Sequence, residues 1–131
     1  MSPDPVHIPE NSPDVQRWDD QRHGKVSYRL LVDADYGPTS GLVQGLCYFE
    51  EGDREALHHH DVHETVHVVS GGGVAEFENN RIPLHPGDTL YVPPGIPHAW
   101  TAMEEKMTLL FTFGADRLSE VAYHFEEEDA A

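Results

Sequence analysis

Turn-forming residues interrupt this chain at short intervals, and between them apolar and polar residues alternate. Tyr36-Gly37-Pro38, Gly71-Gly72-Gly73, Asn79-Asn80, Pro86-Gly87-Asp88 and Pro93-Pro94-Gly95 each separate two short apolar stretches. A turn every ten residues or so leaves too little length for stable helices but enough for strands. The alternation agrees. Val26, Tyr28, Leu30 and Val32 interleave with Ser27, Arg29, Leu31 and Asp33, and Met107, Leu109, Phe111 and Phe113 interleave with Thr108, Leu110 and Thr112. Period two marks a half-buried strand. Further strands are expected over 42–50, 64–69, 74–78 and 89–92. Asn79-Asn80 reads as a hairpin turn. The fold class is all-β, a sandwich or barrel.

With 131 residues, 38% of them hydrophobic, the chain can build one core. Residues 1–24, with four prolines, read as an irregular arm or at most an edge strand. Residues 25–115 form the expected barrel. Residues 116–131 are a short helix or strand followed by an acidic tail.

Charge removes whole classes of function. Twenty-four acidic against eight basic residues give a formal charge of −16, which repels nucleic acid and anionic membrane alike. The single cysteine, Cys47, permits no intrachain disulfide and no cysteine metal cluster. No apolar run reaches the roughly 20 residues that span a bilayer, and the first residues lack a signal-peptide pattern. A cytoplasmic protein is the expectation.

Five of the ten histidines fall within 58–67. Such runs are sometimes surface residues without a role, so geometry must decide. On a strand, His58 and His60 project from one face while His59 points away. Glu64 opens the next strand, bringing a carboxylate beside two imidazoles, a ligand set suited to Fe(II), Mn(II), Zn(II) or Ni(II). His98 follows the rigid corner of Pro93 and Gly95, aimed inward as a fourth ligand. His63 could replace Glu64 only if a bulge shifted the register, and His67 should point away. Gln44, on a face shared with Leu42, Leu46 and Tyr48 that reads as core, is a candidate fifth ligand or substrate hydrogen-bonding group. A structural hydrogen bond would serve it equally well. Trp100, Phe111 and Tyr91 are candidate cavity walls.

Five residues separate Gly52 from His58, one separates His58 from His60, three separate His60 from Glu64, and six separate Glu64 from Gly71. Five separate Gly87 from Pro93, one separates Pro93 from Gly95, and two separate Gly95 from His98. In these nine positions the chain resembles the cupin superfamily, over about residues 41–113. Ala102 stands where the second family motif has Asn, a departure that touches no ligand. The resemblance implies a jelly-roll barrel with the metal inside, commonly a homodimer.

The expected function is a metal-dependent enzyme with His58, His60, Glu64 and His98 at its centre and Gln44 nearby. Zinc is the first choice of metal, and iron, manganese and nickel also fit the ligands. The substrate is expected to be a small carbonyl-rich molecule, handled by Lewis-acid catalysis. The chain looks most like single-domain cupins that cyclise aromatic polyketides. The alternatives are an iron-dependent dioxygenase and a non-catalytic small-molecule-binding module.

Overall fold

The structure is a computed structural model that describes residues 4–10, 14–20 and 23–125. The acidic run 126–129, expected as a tail, lies outside these residues. The chain order is β1 (Val15–Asp20), β2 (Gly24–Val32), β3 (Val43–Phe49), β4 (Arg54–His59), β5 (Glu64–Phe77), β6 (Asn80–Leu84), β7 (Thr89–Val92), β8 (His98–Phe113) and β9 (His124–Phe125). One 3-10 turn, Leu118–Glu120, precedes β9. The fold is all-β, with no helix among the described residues long and apolar enough to cross a membrane.

The sheet closes on itself. β8 pairs with β3 and β4, and β2 also pairs with β3 and β4, so these four strands form a ring. β5 extends it along the full length of β8, and β6 and β7 each pair with β5. Inside lie Val43, Phe49, Val66, Val68, Met107, Leu109 and Phe113, each nearly or fully buried.

Two stretches differ from the sequence expectation. The triple glycine is not a turn. β5 runs straight through it as one 14-residue strand, with register shifts against β8 on either side of Gly71. Gly71 has φ +72°, and a Cβ there would lie 1.7 Å from the Lys106 carbonyl oxygen. Only glycine allows β8 this close. The second stretch is 116–125, which is no α-helix: it crosses the barrel mouth as the 3-10 turn and the two-residue β9.

Buried Asp33 secures that crossing. Its carboxylate accepts hydrogen bonds from the Leu118 and Asp35 amides, both at 2.8 Å, and the Ala34 amide donates to the Asp116 carbonyl. Within the N-terminal arm, β1 forms a regular ladder with β2 and lays Trp18 over the same mouth, in edge contact with Tyr123 at 5.1 Å.

Candidate metal centre

His58 and His98 are direct cross-strand partners on β4 and β8. His60 follows β4, and the Gly95 amide donates to its carbonyl at 2.8 Å, tying the turn before His98 to the end of β4. Glu64 opens β5, where Glu64, Val66 and Val68 face inward. All four side chains are buried: His58 and His98 at 0%, His60 at 3% and Glu64 at 4% exposure.

Each imidazole is oriented from behind. Nδ1 of His58 donates to the Ala56 carbonyl at 2.6 Å, that of His60 to Ala122 at 3.0 Å, and that of His98 to Ile96 at 2.9 Å. With Nδ1 carrying the proton, a neutral ring presents a bare lone pair at Nε2. The ligand atoms of the three rings lie within 4.8 Å of one another. Glu64 Oε1 stands 3.5 Å from His60 Nε2 and 3.3 Å from His98 Nε2.

Three ring nitrogens and a carboxylate oxygen converge here, and all four atoms are buried and unsatisfied. An orphaned buried polar group costs about 1–3 kcal/mol. One divalent cation would satisfy all four together, and the donor set suits Zn(II), Fe(II), Mn(II) or Ni(II). The residues therefore fit a metal.

Electrostatics agree with that reading. Burial, with His98 and His60 close by, lowers the His58 pKa to about 3, so the ring is neutral and ready to ligate. Burial alone would raise the Glu64 carboxyl, but hydrogen bonding from the His60 and His98 rings, with their charge when protonated, prevails and holds it at about 2.

The remaining sequence candidates separate clearly. Gln44 is not brought to the cluster. The inward positions of β3 are Val43, Gly45, Cys47 and Phe49, and the Gln44 amide donates to the Thr112 hydroxyl at 3.4 Å. Its expected core face with Leu46 and Tyr48 is the outer face of the strand. His63 is exposed, its ring 6.0 Å from that of Tyr91, so no bulge exchanges it for Glu64. His67 turns away and hydrogen-bonds the Thr89 hydroxyl at 2.8 Å. Trp100 and Phe111 do wall the interior, whereas Tyr91 is 60% exposed.

The structure also adds residues that sequence reasoning misses. Beside the cluster is a cavity of about 20 Å³, room for roughly one water. Its lining includes Trp18, Tyr28, Glu55, Glu64, Trp100 and Tyr123. Glu55 is three positions from His58 and on a regular strand would face outward. A register shift against β8 between the two residues turns it inward, with Oε1 3.2 Å from His58 Nε2. No sequence signal announces that bulge. Tyr123 is within reach of sequence reasoning, since Val121, Tyr123 and Phe125 repeat with period two.

Comparison with known proteins agrees with this architecture. The family described as "Cupin domain" matches residues 45–113. An (R)-mandelonitrile lyase from Granulicella tundricola is 38% identical over 63 residues, 47% of this chain and 48% of the lyase, so the match spans about half of that relative. A cupin-2 domain protein from Rhodospirillum rubrum superposes with a TM-score of 0.76 at 17% identity, covering 99% of this chain and 87% of that one. The polyketide cyclase RemF from Streptomyces resistomycificus does so with a TM-score of 0.72 at 16% identity, covering 95% and 86%. At such identities the superpositions speak for the fold. With more than half of its length matched to the family and the barrel closed as described, the chain belongs to the cupin family.

Proposed function

We propose that this chain is a metal-dependent enzyme acting on a small carbonyl-rich molecule, with aromatic polyketide ring closure as the specific reaction we favour. The observation that carries the reading is the convergence of four orphaned ligand atoms, one of them on Glu64 in the wall of an aromatic-lined cavity. His58, His60, His98 and Glu64 would hold the metal, with zinc favoured. A cation held there supplies Lewis-acid polarisation of a carbonyl oxygen.

The chain's own residues would do the rest. Trp18, Tyr28, Trp100 and Tyr123 offer ring faces and edges to a flat unsaturated substrate. Glu55 Oε1, in the cavity wall, is placed to carry a proton to or from the substrate. Tyr123 and Trp18 close the mouth against water. A substrate larger than the cavity enters only if the segments bearing these two rings part. The name of the 38%-identical relative, a mandelonitrile lyase, supports an aromatic substrate, one whose cleavage yields a carbonyl group.

Protein purified without a histidine tag should contain about one equivalent of zinc by elemental analysis. It should accelerate enolisation or cyclisation of a poly-β-carbonyl compound, and His98→Ala should lose both metal and activity. Iron content with stoichiometric oxygen consumption would replace this reading with a dioxygenase. A metal-free protein that binds ligand without turnover would replace it with a binding module.

A further inference from the structure

Behind the buried imidazoles, on the outer face of β4, stands a second group of metal-ligating side chains. His59 is the direct cross-strand partner of His124 on β9, and the two rings stack with centroids 4.7 Å apart and planes 26° apart. Asp61, just past β4, places Oδ2 3.1 Å from His124 Nε2. One ligand atom from each of the three lies within 4.8 Å of the other two. The imidazoles are half-buried and Asp61 is exposed.

We propose that His59, Asp61 and His124 form a second divalent-metal site on the outside of the barrel, one that takes Zn(II), Ni(II) or Cu(II). Two imidazoles and a carboxylate are the donors these borderline cations prefer, and water would complete the shell. Strand pairing fixes the two histidine backbones opposite one another, so little conformational freedom is lost on binding. The chain's charge of −16 concentrates cations at its surface.

The site has a structural consequence. Among the described residues, β9 joins β4 through two residue pairs, His58 with Phe125 and His59 with His124. A cation shared by His59 and His124 would fasten β9 to β4. Tyr123 directly precedes β9, so the outer site would hold down the segment that covers the inner cavity. The inference stands apart from the proposed enzymatic function, because it uses none of the four inner ligands.

The test is Zn(II) titration of the tag-free, metal-free full chain against a chromophoric chelator. The expected result is two bound equivalents, the second weaker. His124→Asn and His59→Gln, both at the outer face, should each weaken that second equivalent by at least about tenfold and leave the first unchanged. His98→Ala should do the reverse. If the wild-type chain binds a single equivalent that His98→Ala abolishes, the outer site does not exist. A second equivalent that survives in either His124→Asn or His59→Gln overturns it equally. A single equivalent that His124→Asn removes and His98→Ala spares would uphold the outer site while overturning the inner one.

Discussion

Tyr123 stacks on the imidazole of His58, centroids 5.2 Å and planes 25° apart, and stands edge-on to His60 at 4.4 Å. One ring from the closing segment therefore holds two of the four converging side chains. Trp18 from β1 and Phe125 from β9 press on it in turn, at 5.1 and 6.1 Å. The order of the site thus depends on two short segments at opposite ends of the chain.

Replacing that ring tests the dependence. Tyr123→Ala should destabilise the protein by about 2 kcal/mol, since the ring is half-buried and its loss leaves a gap against His58, His60 and Phe125. It should also weaken metal binding, because His58 and His60 lose their common support. Tyr123→Phe keeps the ring contacts and should retain most of both properties. Denaturant unfolding of the metal-free variants, paired with zinc titration, separates packing from ligation.

The pH dependence of the metal-free protein follows from groups pulling in opposite directions. His58 is neutral in the folded state, with a pKa of about 3 against 6.5 unperturbed, so the unfolded chain binds the extra proton. Stability should fall as pH drops from about 6.5 towards 3, at roughly 1.4 kcal/mol per pH unit where steepest. Glu64, held near 2 against 4.5, adds a further loss between those values. Glu55 has the opposite sign. Burial, and then the charge of Glu64, push its carboxyl well above 4.5, so its contribution is lost as pH rises past that value. Glu55→Gln should stabilise the metal-free protein at about pH 7 and leave the acid limb unchanged. Urea unfolding across pH reads both limbs.

Placement of the inner quartet is legible in the sequence because strand parity and the turn residues act locally. His58 and His60 share a parity, His59 and His67 have the other, and Pro93 with Gly95 sets the entry to His98. What parity cannot reach depends on tertiary register. Glu55 turns inward through a bulge that exists only in the pairing with β8. Gln44 reads as a core position because Leu42, Leu46 and Tyr48 look more apolar than Gly45 and Cys47. At position 45 the barrel needs the smallest residue inside, since Gly45 leaves room for the Phe111 ring: a Cβ there would lie 2.4 Å from it. The triple glycine resembles a turn, since nothing local reveals that β8 passes over it.

Cys47 reports on the closing segments. It is 6% exposed and lines the same cavity as Tyr123. Burial first, then the charges of Glu55 and Glu64, raise its thiol pKa well above the usual value, which disfavours the reactive thiolate. An aromatic disulfide reagent should therefore label the native protein very slowly and the denatured protein at once. Trp18→Ala, which removes part of the mouth, should speed native labelling by at least about tenfold if opening controls access. An unchanged rate would mean that Cys47 is reached by another route.

Gly52 and Gly71 belong to the same sequence motif, yet the structure gives them different reasons to be glycine. Gly52 has φ +82°, and a Cβ there would meet nothing within 4 Å, so Gly52→Ala should cost only the left-handed strain, about 1–2 kcal/mol. Gly71 has φ +72° and the Lys106 carbonyl oxygen 1.7 Å from where a Cβ would sit. That oxygen is backbone and cannot rotate aside, so Gly71→Ala must push β8 away from β5. Gly73, whose Cβ would lie 2.0 Å from the Thr101 carbonyl oxygen, faces the same obstacle. Between them these glycines set the register that pairs Glu64 with Phe113 at one end of the ladder and Phe77 with His98 at the other. Gly71→Ala and Gly73→Ala should therefore lose more stability than Gly52→Ala and also bind zinc more weakly, because Glu64 and His98 ride on the two displaced strands. Denaturant unfolding ranks the three variants. Zinc titration then decides whether the displacement reaches the site, since equal affinities in all three would confine the role of Gly71 and Gly73 to packing.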